Sequence, residues 1–224
     1  MNSGRSHSSK GSRLYSFARD GNHGEVRNML RRGANVNFRN MECGRTALIA
    51  AGSNSHNKVV RALLNHEGVD VNVKDNDGYT ALITASCFGH SRVVCALLKH
   101  PGVDVNSTNN GGETALISAS FSGRLAVVTA LLQHPRVKVN IKDEYGFSAL
   151  MNACLCGHLE VLRALLDHER VNVNIMSNYG ITALDVARGR GEDDFVRLLE
   201  EHVESRRLVE EEVRRQELLN RELA

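Results

Sequence analysis

The chain has no tryptophan, only two prolines and an aromatic content of 4% across 224 residues. A core built around large rings is therefore excluded. The two prolines, Pro101 and Pro135, stand 34 residues apart in the same recurring phrase, so proline does not punctuate the chain elsewhere. No run of 18 apolar residues occurs, and no segment is expected to span a bilayer. The opening stretch MNSGRSHSSKGSR lacks a hydrophobic run and does not read as a secretory signal. Cysteine is sparse, odd in number and without zinc-finger spacing: Cys43, Cys87, Cys95, Cys154 and Cys156. These are read as reduced thiols, most of them packed as small apolar groups, in a cytoplasmic or nuclear protein. H-E-x-x-H, G-x-S-x-G and the phosphate-binding loop are all missing, so no catalytic residue, cofactor or metal is expected.

What remains is ordinary in bulk and unusual in pattern. A hydrophobic fraction of 42% with 24% charge supports a packed, soluble core. Residues 1–13 carry Arg5, Lys10 and Arg13 with no acid, whereas residues 192–224 hold 11 acidic and 6 basic residues. The stretch between is only mildly basic, too weakly so to announce a nucleic-acid partner.

One period organises the chain. A Gly-x-Thr/Ser-Ala-Leu phrase recurs at Gly44, Gly78, Gly112, Gly146 and Gly180, a step of 34 without slippage. Upstream, LYSFARDGNHGEVRNMLRRGANVN (14–37) reads as a shorter first unit, followed by a one-residue insertion. Within a unit, Thr80 suits an N-cap, Ala81, Leu82, Ala85 and Ser86 share a small-sided helical face, and Gly89 suits a left-handed stop. His90-Ser91 then opens a second helix whose apolar stripe is Val93, Val94, Ala96, Leu97 and Leu98. Val103 and Val105 alternate with polar residues, an extended pattern, before the turn-rich Lys74-Asp75-Asn76-Asp77-Gly78 type of segment. Two-turn helices are marginal alone, and a 34-residue unit cannot cover its own stripe. Neighbours must cover it, which predicts a stacked solenoid.

The same phrase carries His66, His100, His134 and His168, one per unit. Zinc ligands must lie within about 4 Å of one another, but stacked helices sit roughly 8–10 Å apart. These histidines are therefore read as architecture, placed where an imidazole can approach the orphan carbonyls at a helix end.

The phrases Thr46-Ala47-Leu48-Ile49, Thr80-Ala81-Leu82-Ile83, Thr114-Ala115-Leu116-Ile117, Ser148-Ala149-Leu150-Met151 and Thr182-Ala183-Leu184-Asp185 resemble the T-P-L-H-x-A signature of the ankyrin repeat. Gly89-His90 and Gly157-His158 match its inter-helix Gly-His, and the Val-x-Val-Asn phrases match its repeat ending. The likeness spans residues 14–202. Ala stands for the family's Pro, Ile or Met for its His, and Ser55 for one expected Gly; losing the His removes a usual polar link between units. A tetratricopeptide array shares the period but needs large aromatics at fixed slots and no extended segment, which Val-x-Val-Asn opposes.

The resemblance implies a mostly α ankyrin-repeat solenoid with short hairpin fingers. Its expected parts are a disordered basic tail (1–13), a capping repeat (14–41), four repeats (42–75, 76–109, 110–143 and 144–177), a capping repeat (178–204) and a charged helical extension (205–224). Just before the extension, Phe195, Leu198, Leu199 and Val203 are expected to close the stack.

It also implies a concave surface of finger tips and exposed first-helix sides. By register this surface takes Lys74, Asn76, Asp77, Tyr79, Cys87, Phe88, Thr108, Asn110, Glu113, Phe121 and Ser122. The later units add Lys142, Glu144, Tyr145, Phe147, Asn178, Tyr179 and Ile181. Six of the ten aromatics in the chain fall there, a pattern that suits protein recognition. The expected function is a monomeric, non-catalytic adaptor that grips a partner protein. The alternatives are a targeting module of a larger enzyme, or a weak nucleic-acid binder acting through basic helix faces.

Overall fold

The computed structural model describes residues 3–222. Helices come in antiparallel pairs: α1 (Ser3–Arg19) with α2 (His23–Arg31), α3 (Ala47–Ser53) with α4 (Asn57–Leu64), and α5 (Ala81–Phe88) with α6 (Ser91–Leu98). The series continues with α7 (Ala115–Phe121) and α8 (Leu125–Leu132), α9 (Ala149–Cys156) and α10 (Leu159–Leu166), and α11 (Ala183–Arg190) and α12 (Asp193–Glu222). First helices stack on first helices and second helices on second helices, so each apolar stripe is covered by the next unit.

The local signals act as their chemistry requires. Thr46, Thr80, Thr114, Ser148 and Thr182 each sit in extended backbone and accept from the amide three residues on, satisfying one orphan donor of the first turn. The buried floor is aliphatic and recurs in register: Val59, Val60 and Leu63 in α4, Val93, Val94 and Leu97 in α6, Val127, Val128 and Leu131 in α8. Ile49, Ile83, Ile117 and Met151 fill the slot expected to be polar and are almost fully buried. Ser55 holds the left-handed position after α3 at φ 59°, the one non-glycine residue at positive φ among the described residues.

Four expectations change. The basic N-terminus is helical from Ser3, not a disordered tail, and Gly11 is buried. A Cβ at Gly11 would meet the Phe38 ring at 2.4 Å, so glycine inside this helix permits close approach of the loop after α2. Second, only Cys154 among the cysteines is buried; Cys43, Cys87 and Cys156 are half-buried and Cys95 is exposed. Desolvation pushes the Cys154 thiol up to about 12. Third, Phe195 and Leu199 close the stack but Val203 is exposed, because it sits one position round from the inward-facing His202. α12 continues through residue 204 without a break, so closing helix and extension are one element.

The fourth concerns the recurring histidines. Among the described residues none of their rings is hydrogen-bonded to a helix carbonyl. Nδ1 of His100, His134 and His168 instead accepts from the backbone amide two residues on, at Gly102, Arg136 and Arg170. The chain turns immediately after the helix and carries that amide under the ring. An accepting Nδ1 must be unprotonated, and burial, assisted by the nearby Arg136 charge, holds the His134 imidazole below its ordinary range.

Candidate protein-binding face

Each finger is closed by two backbone bonds across its tip: Asp75 N–H to Tyr79 O, Asn109 to Glu113, Asp143 to Phe147 and Ser177 to Ile181, with Gly78, Gly112, Gly146 and Gly180 donating back to the first residue of each pair. Only two isolated antiparallel bridges, Thr108 with Thr114 and Lys142 with Ser148, accompany these turns among the described residues. The first tip residue organises the turn. Asp75 accepts from the amides of Asp77 and Tyr79 and pairs with Arg45 Nε at 3.1 Å; Asn109 and Asp143 repeat the two amide contacts.

Fingers are then tied to fingers. Backbone amides of Asn76, Asn110, Glu144 and Asn178 donate to Cys43, Asp77, Gly111 and Tyr145 of the preceding tips at 2.9–3.0 Å. Side-chain amides of Asn76, Asn110 and Asn178 donate beside them to Glu42, Asn76 and Glu144 carbonyls. The approach is close: a Cβ on Gly78 would lie 2.5 Å from the Asn110 amide oxygen, and Gly78 is left-handed at φ 82°. A preorganised strip results, with little conformational entropy left to lose on binding.

The residues singled out in the sequence divide into three groups on this strip. Asn76, Asn110 and Asn178 direct their amides at the preceding finger, while Lys74 and Lys142 donate their ammonium groups to the Thr108 and Met176 carbonyls. Tyr79, Phe147 and Ile181 lie half-buried against the core. Glu113 is also half-buried and accepts from Asn109 and Ser118. Exposed are Phe88 (53%), Phe121 (50%), Tyr145 (55%) and Tyr179 (67%), with Asp77 and Glu144 exposed among them. Cys87 and Ser122, one unit apart, bring Sγ and Oγ to 3.7 Å.

The local electrostatics follow from this placement. The Glu144 charge and a hydrogen bond from the phenol to it raise the Tyr145 hydroxyl above its usual range. Burial does the same for Tyr79, with the Glu113 charge adding to it. Both phenols stay neutral donors at physiological pH.

One member was missed. Leu155, 40% exposed, occupies in α9 the register that Phe121 holds in α7 and extends the apolar row by one unit. The signal was available, since Leu155 follows Ser148 by the seven residues that separate Phe121 from Thr114.

Comparison with known proteins agrees with this architecture. Models of ankyrin repeats match residues 14–109 and 135–207, and a second such model matches residues 94–132. The ankyrin repeat protein EF0377 superposes with a TM-score of 0.78 at 24% identity, over 84% of this chain and 96% of that one. An ankyrin repeat domain from Acinetobacter baumannii AYE superposes with a TM-score of 0.77 at 30% identity, again over 84% and 96%. No curated protein matches significantly in sequence. Period, capping threonines, left-handed stops and tied fingers thus agree with the family models over most of the length, and the chain belongs to the ankyrin repeat family.

Proposed function

We propose that this protein is a non-catalytic adaptor that captures a partner protein on the concave strip, acting as a monomer in a reducing compartment of the cytoplasm or nucleus. Ankyrin repeats are generally protein–protein interaction modules, which supports the class of activity. The observation that carries the reading is the exposure of Phe88, Phe121, Tyr145 and Tyr179 on the one strip whose backbone is cross-tied from finger to finger. Rigid aromatic anchors among mixed charges supply contact area at low entropic cost, and such residues dominate binding energy in protein interfaces. Leu155 and Asp77 complete the patch.

The test is replacement of all four rings by alanine. Each anchor contributes on the order of 1–2 kcal/mol or more when it is a hot spot, so four together remove specific capture. Affinity purification with cross-linking mass spectrometry should show partners recovered by the wild type and lost by the variant. Helical circular dichroism and thermal midpoint should stay nearly unchanged, since exposed rings hold no core. Undiminished capture by the quadruple variant rules this face out.

A further inference from the structure

The outer side of the stack carries a charge pattern that the concave strip does not use. Two adjoining grooves run between the second helices α2, α4 and α6. The one between α4 and α6, about 770 Å3, is lined by Arg61, Arg92 and Lys99. Its neighbour between α2 and α4, about 490 Å3, is lined by Arg27, Arg31, Lys58 and the same Arg61. Sharing Arg61 makes the six cations one field. No aspartate or glutamate lines either groove, and none of the six forms a salt bridge among the described residues. Toward the other end of the molecule the pattern reverses: Arg163 pairs with Glu160, Arg197 with Asp194 and Arg207 with Glu204.

Like charges held across three packed helices, within about 20 Å, repel one another unless a counter-charge arrives. Four of the six are arginines, whose planar forks match phosphate oxygens. Their spread over two grooves suits a linear polyanion better than a single phosphate. No large apolar side chain is exposed on α2, α4 or α6 among the described residues, so the wedge a lipid surface would take is missing. His66 adds an independent sign. Its counterparts place Nδ1 under a backbone amide, but His66 Nδ1 is buried beside the α2–α4 groove with no hydrogen-bond partner among the described residues.

We propose that this outer face binds the phosphate backbone of duplex nucleic acid, without reading base sequence, independently of the concave strip. Contacts of this kind set affinity and salt dependence, not sequence choice.

The test titrates the full chain against a fluorescein-labelled DNA duplex of about 20 base pairs, by anisotropy, from low to physiological salt. With six phosphate contacts the logarithm of the association constant should fall against log salt with a slope of about −5. Arg61→Glu with Arg92→Glu should weaken binding at least about tenfold and make the slope shallower by about two. Their circular dichroism should match the wild type, because both side chains are exposed. Arg170→Glu with Arg214→Glu makes the same change in net charge away from the grooves and should leave affinity within about twofold. Phe88→Ala with Phe121→Ala should leave it unchanged. The proposal is overturned if the duplex fails to bind at low salt or if both charge-reversal pairs weaken it equally. Preference for anionic vesicles or polyglutamate over the duplex overturns it as well.

Discussion

An imidazole follows three of the left-handed stops, Ser55, Gly89 and Gly157, and ties its unit to the one before. His56 Nε2 lies 2.9 Å from the Arg19 carbonyl, and His90 and His158 reach Ser53 and Phe121 at 3.0 Å. Arg124 puts Nε on the Cys87 carbonyl at 3.1 Å and does the same work with a different donor. Each acceptor is among the last carbonyls of the preceding first helix, which have no partner within their helix. Replacing His90 by alanine should therefore cost about 1–2 kcal/mol, read from the urea midpoint at constant slope. His90→Arg should recover most of that loss, because Arg124 shows that the geometry accepts a guanidinium. Equal destabilisation by the two variants would instead assign the effect to packing of the ring on Phe88, whose centroid lies 6.0 Å away. The sequence placed these histidines at the start of the second helices but gave no sign of their bonds, since each acceptor lies 37 residues upstream. It drew the opposite inference from the isoleucines in the family's histidine slot, a loss of polar links. The links were relocated.

Among elements, the return segments show how a stack with almost no β-ladder keeps its register. Asn37, Asn72, Asn106 and Asn140 each bridge to the next unit with both ends of the side-chain amide. Asn72 Nδ2 donates to Gly102 O at 2.8 Å and its Oδ1 accepts from Asp104 N at 2.9 Å. Asn37, Asn106 and Asn140 repeat the pair. The amide substitutes for a peptide group, so extended strands are unnecessary. Val-x-Val-Asn was legible as a repeat ending and as extended in character. That its asparagine replaces a strand pairing was not, because the pattern of residue types is the same for either arrangement. The finger asparagines Asn76, Asn110 and Asn178 show the same limit: register put them at the tips, yet their amides turn back along the stack. Asn72→Ala should lose about 1–2 kcal/mol from two broken surface bonds, measured by urea unfolding. Asn174→Ala offers the control. That exposed residue closes the series, because the unbroken α12 runs on where the next return segment would stand, and its replacement should fall within about 0.5 kcal/mol of wild type.

For the whole molecule, linear stacking makes the two ends the vulnerable points, and they are closed differently. At the N-terminus α1 buries Leu14 and Ala18 over α3 and uses Gly11 to admit Phe38. At the C-terminus α12 divides by function along one unbroken helix. Its first part buries Phe195 and Leu199 against α10 and α11, and Arg206 still donates to the Glu169 carbonyl. Beyond that, Leu208, Val209 and Val213 are all exposed. The acidic, glycine-free composition announced a long helix, but where packing ends along it depends on how far α10 reaches, which no local pattern encodes. Truncation after Arg207 should consequently shift the thermal midpoint by less than about 2 °C, the range of a change that disturbs no buried contact. Truncation before Asp193 removes two buried side chains, each contributing roughly 1.5–3 kcal/mol, and uncovers Val186 and Ala187 beneath them. Because each unit is stabilised by its neighbours, that loss should propagate inward from the exposed end. Hydrogen exchange should show amide protection falling first in α11, then in α9 and α10, while α3 and α5 stay protected. Uniform loss of protection along the stack would show that the molecule unfolds as a single unit, and that the linear account of its stability is wrong.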